Sequence, residues 1–322
     1  MSLRPLVWLA ALALLSCACG SSQPGARAVV VVVVDTLRRD ALGCYGASGD
    51  PSPDIERLAQ EGVVLEQAIS ASGWTLPSVA SLLTGTWPSV HKATGKKSLL
   101  TPISLDVTTA AEVLAASGFA TGAIANAAFL SPLLGLSRGF EVFDHRHAFN
   151  QDVRRADASV AAAMRFVEAH ADEDFFLLVH LFDVHLEYDP PGEFAQRFTA
   201  GRAEPAAPIT FAIVRGLLQE DGKAPPTPAD ASHVRALYQG EVAFVDQAVG
   251  RLIECLRKNG RWDGTSFFLT ADHGEEFWDH RGFEHGHSLY DELVRVPLIV
   301  KPPLEVVPVR RRVDSQVRVL DV

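Results

Sequence analysis

A run of almost pure valine near the N-terminus constrains the fold more than any other feature of the sequence. Residues 28–34 read Ala-Val-Val-Val-Val-Val-Val, and Asp35 follows directly. β-branched side chains favour strands, and a run without polar alternation is typical of a strand that is buried on both faces. Such strands occur in parallel sheets that helices cover on both sides. We therefore expect residues 28–34 to form an inner strand of a parallel sheet.

Helical and strand patterns alternate along the rest of the chain. Helices are expected at residues 53–61, 77–83, 108–117, 153–171 and 233–259. Strands are expected at residues 120–125, 175–182, 265–270 and 296–301. This alternation predicts an α/β fold with a mostly parallel central sheet flanked by helices. Residues 201–231 are rich in proline and alanine, so we interpret them as an insertion, either a lid over the site or a disordered surface loop.

The overall composition limits the classes of function. The chain has 322 residues, of which 48% are hydrophobic, and this is enough for one large core. A net charge of -10 disfavours a broad surface for nucleic-acid binding. An anionic substrate is still compatible with this charge, because a bound cation reverses the local field.

The N-terminus has the pattern of an export signal. Arg4 precedes an apolar run at residues 6–15, which is too short for an ordinary membrane span. Residues 14–17, Leu-Leu-Ser-Cys, resemble a bacterial lipobox, in which the cysteine becomes the lipidated first residue. We interpret residues 1–17 as a lipoprotein signal peptide and residues 18–27 as a flexible tether. This predicts an exported lipoprotein of the cell envelope, in the periplasm or at the cell surface, held to the membrane through lipidated Cys17. The alternative is an ordinary cleaved signal that contains Cys17.

Acidic residues come at the ends of three of the apolar strands. They are Asp35, Asp183 and Asp272. In open α/β sheets ligands bind at the carboxyl ends of the strands, so acids delivered to that edge can converge. Several histidines lie in the same segments, which predicts one shared polar site.

Five motifs carry the polar residues of this expected site. In chain order they occupy residues 35–46, 74–85, 183–191, 270–276 and 285–297. Together and in this order they resemble the sulfatase family of the alkaline phosphatase superfamily, and the resemblance runs from about Val29 to the last residue. It implies a central parallel sheet and a metal site beside a hydroxyl or modified-cysteine nucleophile. Family members usually continue into a smaller C-terminal lobe, which we expect to be missing because the chain stops at Val322.

The motifs supply a candidate set of metal ligands and a nucleophile. Asp35 and Asp272 offer hard carboxylate oxygens and His273 offers an imidazole nitrogen, which together suit a divalent cation. Thr75 is the expected nucleophile and a further contact to the metal, because a cation lowers the pKa of a hydroxyl and stabilises the alkoxide. Pro77 marks a helix start, so the helix N-terminus would face the transferred anion. Taken alone, Thr75 would be interpreted as an ordinary N-cap.

Two positions depart from the sulfatase pattern. Sulfatases carry Cys or Ser followed by x-Pro-Ser-Arg, and that first residue is oxidised to formylglycine, whereas this sequence has Thr75 and, in place of the arginine, Val79. Threonine cannot give that aldehyde, so no formylglycine is expected. The threonine form resembles superfamily members that pass a phosphoryl group through phosphothreonine. Thr36 stands where sulfatases usually have a second aspartate, which shifts the expected metal towards manganese or zinc, with calcium or magnesium as alternatives.

The remaining site residues are assigned by resemblance. His185 matches a family histidine that contacts the anionic group of the substrate, as a general acid or as an electrostatic clamp. His285 and His287 lie where the family places a site lysine or histidine, and a one-residue gap decides which of them matches. We assign His285 to catalysis and His287 to substrate binding; alternatively, both bind a second metal with Asp183. Asn126 follows a strand where sulfatases carry a site lysine, which predicts that it donates to a substrate oxygen.

These residues together predict a metal-dependent hydrolase or transferase. Its substrate would be a phosphate or sulfate ester of a glycan, lipid or small molecule, cleaved through a covalent intermediate on Thr75. The rival interpretation is a non-catalytic envelope lipoprotein that binds a metal and an anionic glycan. The intact set of ligands and nucleophile favours the enzyme, because a decayed site tends to lose such residues.

Overall fold

A mostly parallel sheet built around β1 dominates the fold. The computed structural model describes residues 26–95, 99–146, 154–202, 227–306 and 310–322. Its strands are β1 (Ala28–Val34), β2 (Val63–Ile69), β3 (Ala120–Ala125), β4 (Val142–His145), β5 (Phe175–Leu181), β6 (Thr265–Ala271), β7 (Glu276–Phe277), β8 (Phe283–Glu284), β9 (Arg295–Val296), β10 (Leu298–Lys301) and β11 (Arg312–Arg318). Its helices are α1 (Pro53–Glu61), α2 (Thr75–Thr84), α3 (Pro88–His91), α4 (Ala110–Ala116), α5 (Ala156–Ala169), α6 (Gly192–Thr199), α7 (Pro228–Lys258) and α8 (Asp291–Val294).

The valine strand β1 lies inside this sheet, between β5 and β6, and pairs in parallel with both. The strand order is β11-β2-β10-β6-β1-β5-β3-β4, with β9 paired to β2 and with β7 and β8 forming a separate hairpin. β3 and β4 continue the parallel part, whereas β10 runs antiparallel to β2 and β6. Most of β1 is inaccessible to solvent on both faces. The predicted α/β fold with a mostly parallel central sheet is therefore confirmed.

Helices cover the sheet and hold the segments that lead to its carboxyl edge. α7 packs against α1, α5 and α6, and α2 packs against α3 and α4. Residues 75–83 of α2 are all buried, which is unusual for a helix at the surface of a globular protein. The start of α2 is thus held firmly by its surroundings.

The predicted element boundaries differ from the observed ones mainly at helix starts. The helix at 53–61 and the strand at 120–125 are confirmed at both ends. α2 begins two residues before Pro77, because a proline is tolerated anywhere in the first helical turn. The strand expected at 296–301 is divided by Pro297 into β9 and β10. α7 begins at Pro228, so the last residues of the expected insertion are helical.

Several sequence predictions fall on residues that the structure does not describe. The signal peptide and most of the tether lie in residues 1–25, and the greater part of the expected insertion lies in residues 203–226. These assignments stay predictions. Among the helices that are described, none combines the length and the hydrophobicity of a membrane-spanning segment.

A buried acid on α7 anchors the start of α1. The carboxylate of Asp246 accepts hydrogen bonds from the backbone N–H groups of Asp54 (3.1 Å) and Ile55 (2.7 Å). Burial raises the pKa of Asp246 from 3.8 to about 7. The folded state therefore holds this proton more tightly than the unfolded chain does.

We expect the contribution of Asp246 to the free energy of unfolding to be greatest below about pH 4 and to be lost as the pH rises towards its folded-state pKa. Asp246→Asn removes this titration while it keeps one acceptor oxygen for the helix start. Urea unfolding of both proteins between pH 5 and pH 8 should show wild type losing stability relative to the variant as the pH rises. A difference that stays constant over this range would contradict the prediction.

Candidate active site

The carboxyl edge of the central strands brings the expected ligands together. Val34 of β1 is level with Leu181 of β5 and with Ala271 of β6. Asp35 and Asp272 are the next residues on their strands, so they leave the sheet side by side. Both side chains are almost completely buried. The predicted convergence of these two acids is a direct result of the strand register.

His273 directs one ring nitrogen at this carboxylate pair. Its Nδ1 donates to the carbonyl oxygen of Gly274 at 2.9 Å, which leaves the lone pair on Nε2. Nε2 lies 3.5 Å from Oδ1 of Asp35 and 3.3 Å from Oδ2 of Asp272. It also lies 3.4 Å from Oγ1 of Thr75. The four predicted metal-site residues therefore surround one small volume.

The chemistry of these atoms fits a divalent cation. Within the described part of the chain, neither oxygen of Asp35 nor Oδ2 of Asp272 has a hydrogen-bond donor. Burial, followed by repulsion from Asp272 and Glu275, raises the pKa of Asp35 well above its usual range. Buried carboxylates without donors are costly unless a cation or a proton compensates them. Carboxylate oxygens together with imidazole nitrogen are ligands that suit manganese or zinc.

His180 is a site residue that the sequence analysis missed. It lies in β5, is 1% exposed, and directs Nε2 at Oδ2 of Asp35 over 3.6 Å. Burial lowers the pKa of His180 to about 3, so the imidazole is neutral at neutral pH. Asp35, His180 and Asp272 offer ligand atoms that all lie within 4.8 Å of one another. The sequence feature that could have indicated this residue is a single histidine in an otherwise apolar strand, Phe-Phe-Leu-Leu-Val-His-Leu.

Thr75 occupies the first position of α2. Its side chain is 3% exposed, and the preceding Trp74 has an extended backbone. The Trp74 side chain makes no capping hydrogen bond, so the N–H groups of Thr75 and Leu76 at this helix start, where Pro77 has none, are suited to contact an anion. The hydroxyl of Thr75 thus lies beside both the ligand group and a helix N-terminus.

Two further predicted residues, His185 and His285, border the ligand group. The ring of His285 lies 4.4 Å from that of His273 and 5.1 Å from that of His185, between centroids. Nδ1 of His185 donates to the carbonyl oxygen of Leu186 at 2.7 Å, and burial lowers the pKa of His185 to about 4. Nδ1 of His285 pairs with Glu275 at 2.8 Å. Burial disfavours the charged form of His285, but the carboxylate of Glu275 raises its pKa overall.

Glu275 is the second residue that the sequence analysis missed. It is fully buried and is shared between His285 and the hydroxyl of Tyr188, which donates to Oε2 at 2.9 Å. A buried carboxylate with two such partners sets the tautomer and the orientation of the histidine. Its position directly after Asp272-His273-Gly274 is the sequence feature that could have indicated a role in the site.

The other two predicted substrate contacts have partners within the protein. His287 pairs through Nε2 with Glu276 at 2.8 Å. Asn126 donates from Nδ2 to Oγ of Ser159 (2.8 Å) and to the carbonyl oxygen of His180 (2.5 Å). Its Oδ1 accepts from Nε of Arg154 at 2.8 Å. Substrate binding by these two residues stays a prediction, and the structure adds a supporting role for Asn126 on the strand that carries His180.

Asp183 lies away from the ligand group despite its place after β5. Its Oδ1 is 3.6 Å from Nε of Arg155, and burial raises its pKa to about 7. In the described residues, no group of potential metal ligands joins Asp183 to His285 or His287. The alternative of a second metal held by these three residues therefore has no geometric support.

Comparison with known proteins identifies the family of this chain. The sulfatase family profile matches residues 27–321. This chain belongs to the sulfatase family. It is 24% identical over 335 residues to the uncharacterized sulfatase YidJ of Escherichia coli K12, with 90% of this chain and 65% of YidJ covered. It is 23% identical over 359 residues to human iduronate 2-sulfatase, with 93% of this chain and 65% of the relative covered. The chain thus spans about two thirds of the length of these curated relatives.

A solved structure supports the same assignment of the fold. The phosphonate monoester hydrolase of Agrobacterium radiobacter superposes with a TM-score of 0.74 at 19% sequence identity, and 92% of this chain and 72% of that chain are covered. Membership of the alkaline phosphatase superfamily, which the five motifs indicated, follows from the family match.

The ligand loop of this sulfatase-family protein requires glycine at position 274. Gly274 donates its N–H to the carbonyl oxygen of Leu293 at 2.8 Å, and a Cβ on it would overlap the carbonyl oxygen of Glu292. The carbonyl group of Gly274 also holds Nδ1 of His273. Any side chain at this position must displace the segment that presents His273.

We expect Gly274→Ala to weaken the binding of manganese or zinc by at least about tenfold, because small displacements of a ligand are costly. Isothermal titration with each metal measures this change. Gly192→Ala is the matched control, since a Cβ there meets no atom within 4 Å. Equal affinity of the Gly274→Ala variant and wild type would show that the loop position is not required.

Proposed function

We propose that this chain is a metal-dependent esterase or transferase that cleaves a phosphate or sulfate ester through Thr75. The observation that carries the proposal is the position of the Thr75 hydroxyl, 3.4 Å from Nε2 of His273 and at the start of a buried helix. The same nitrogen faces Oδ1 of Asp35 and Oδ2 of Asp272, neither of which has a hydrogen-bond donor among the described residues. A nucleophile beside a cation site and a helix N-terminus is an arrangement suited to transfer of an anionic group.

Each group has a defined part in this proposal. Asp35, Asp272 and His273 would hold the divalent cation, with manganese or zinc preferred and calcium or magnesium as alternatives. When bound, such an ion acts as a Lewis acid and lowers the pKa of a neighbouring hydroxyl. The N–H groups at the start of α2 stabilise the oxygens of the transferred anion. The Thr75 oxygen bonds to the phosphorus or sulfur atom as the bond to the alcohol of the substrate breaks, and the alcohol leaves with a proton. Water or a second alcohol then displaces Thr75 from the transferred group and restores its hydroxyl.

The histidine pair beside the metal ligands is suited to proton transfer. Glu275 raises the pKa of His285 and fixes its tautomer, so that His285 is the better candidate for giving a proton to the leaving group. His185 is buried and neutral, which favours hydrogen bonding to the substrate over electrostatic clamping. We assign proton transfer to His285 and substrate contact to His185.

The ester class follows from the nucleophile. Threonine cannot form the aldehyde that sulfatases use, so no formylglycine is involved and phosphate esters are favoured over sulfate esters. The relatives include a phosphonate monoester hydrolase and an iduronate 2-sulfatase by name, and both classes are therefore included in the test. The natural substrate would be an anionic ester within a glycan, a lipid or a small molecule.

We expect Thr75→Ala to lower kcat/KM on an aryl phosphate or a phosphodiester by at least about 10³-fold, because the covalent step is lost. The assay panel pairs these substrates with an aryl sulfate, each with manganese, zinc, calcium or a chelator. Intact-mass analysis should detect a phosphate on the wild-type Thr75 peptide. Thr84→Ala, at the opposite end of the same helix, is the matched control.

If the Thr75→Ala variant turned over its substrate at the wild-type rate, Thr75 would not be the nucleophile. Metal binding without turnover on any ester would instead favour a non-catalytic protein that binds a metal and an anionic glycan.

We also propose that the protein is exported and attached to the membrane through lipidated Cys17. The support is the lipobox-like Leu-Leu-Ser-Cys at residues 14–17, followed by a small, polar tether. Labelled palmitate should be incorporated in a bacterial host, and Cys17→Ala should abolish the label and release the protein from the membrane fraction. Unlabelled wild-type protein would contradict this location.

A further inference from the structure

His180 is a buried side chain at the active site whose polar atoms, like those of Asp35, lack hydrogen-bond partners among the described residues. It lies in the apolar strand β5 and is 1% exposed. Within the described residues, neither Nδ1 nor Nε2 has a hydrogen-bond partner. Buried polar groups in folded proteins are nearly always paired, so this imidazole requires an explanation that packing alone does not provide.

The separation between His180 and Asp35 is similar to the separations that His273 makes with the two carboxylates. Nε2 of His180 is 3.6 Å from Oδ2 of Asp35, which is too long for a hydrogen bond. The corresponding distances from Nε2 of His273 to Asp35 and Asp272 are 3.5 and 3.3 Å. Two ligands bound tetrahedrally to zinc at about 2.0–2.1 Å lie roughly 3.3–3.5 Å apart. His180 therefore stands at the distance of a metal ligand from Asp35.

Thr36 explains why an additional ligand is needed. Sulfatases usually have a second aspartate at this position, but the Thr36 hydroxyl donates to the carbonyl oxygen of Val184 at 2.5 Å. Its backbone has a φ of 55°, a region that a β-branched residue rarely adopts. The Thr36 hydroxyl is thus used within the turn after β1, and its side chain is not directed at the carboxylates.

We propose that His180 is a ligand of the catalytic metal and takes the place of the carboxylate that is missing at position 36. The protein ligands are then two carboxylates, Asp35 and Asp272, and two imidazoles, His180 and His273. This inference rests on the proposed metal-dependent function and specifies the class of metal. Two imidazoles and two carboxylates favour zinc or a similar transition metal over calcium, which prefers oxygen ligands.

Asn126 becomes a positioning residue in this arrangement. Its Nδ2 donates to the carbonyl oxygen of His180 and to Ser159, so it fixes the backbone of β5 at the ligand.

A hydrogen bond from His180 to Asp35 is the competing role, in which His180 would orient the carboxylate without touching the metal. The two roles differ in the number of imidazoles bound to the ion.

X-ray absorption at the zinc edge counts those imidazoles directly on the full chain. We expect two in wild type and one in His180→Ala, with zinc affinity lowered in the variant by at least the roughly 10- to 100-fold that loss of an outer-shell partner costs. His180→Asp, which replaces the imidazole by a carboxylate, should lower the ratio of zinc to calcium affinity. His91→Gln is the matched control, because His91 is equally buried but both its ring nitrogens are partnered, by Ser81 and by the N–H of Ala93.

The outcomes separate this inference from the proposed function. A single imidazole in wild-type protein that still turns over its ester through Thr75 would overturn the role of His180 and leave the function intact. Wild-type protein that binds no divalent cation would overturn both. The imidazole count of wild type needs no variant, so the inference stays testable if His180→Ala fails to fold.

Discussion

The parallel pairing of β1 with β5 and β6 is the constraint on which the active site depends. It sets Val34 level with Leu181 and Ala271, and so brings Asp35 and Asp272 out of the sheet together. His180 is level with Val33, one residue before the end of its strand. A shift of one residue in the register would turn each side chain of the strand to the opposite face. The packing that fixes the valine strand therefore also decides which polar atoms meet.

The same arrangement places two carboxyl groups where their charged forms are energetically unfavourable. Asp35 and Asp272 are buried side by side, and desolvation raises the pKa of both carboxyl groups. A divalent cation removes this penalty, so binding of the metal and stability of the fold are coupled. The surroundings are built to hold the ligands in place: α2 is buried along most of its length, and the backbone at Gly274 leaves no room for a side chain. Such rigidity suits the proposed site, in which Thr75 must be held beside the metal ligands.

Much of this arrangement could be predicted from local pattern. The valine run, the proline-started helix at 53–61 and the strand at 120–125 were identified because their periodicity and end signals are strong. The motif residues Asp35, Thr75, Asp272 and His273 do converge. Asp35 and Asp272 meet because they follow paired parallel strands, whereas Thr75 is brought to the same place by the start of α2. Helix starts were less predictable, since a proline in the first turn leaves the true start open by a few residues.

The roles of His180 and Glu275 could not be predicted from the local sequence pattern. A histidine inside an apolar strand has the same local signature whether it packs in the core or binds a metal, and Glu275 is one of two consecutive acids of which only one contacts His285. Asn126 likewise ends its strand as expected, but its amide is turned towards Ser159, Arg154 and the backbone of His180. The order and kind of residues along this chain were sufficient for its fold class, its family and four ligand candidates. The position of His180 beside the two carboxylates, and the partners of each histidine, depended on strand register and side-chain direction, which arise only when distant segments pack together.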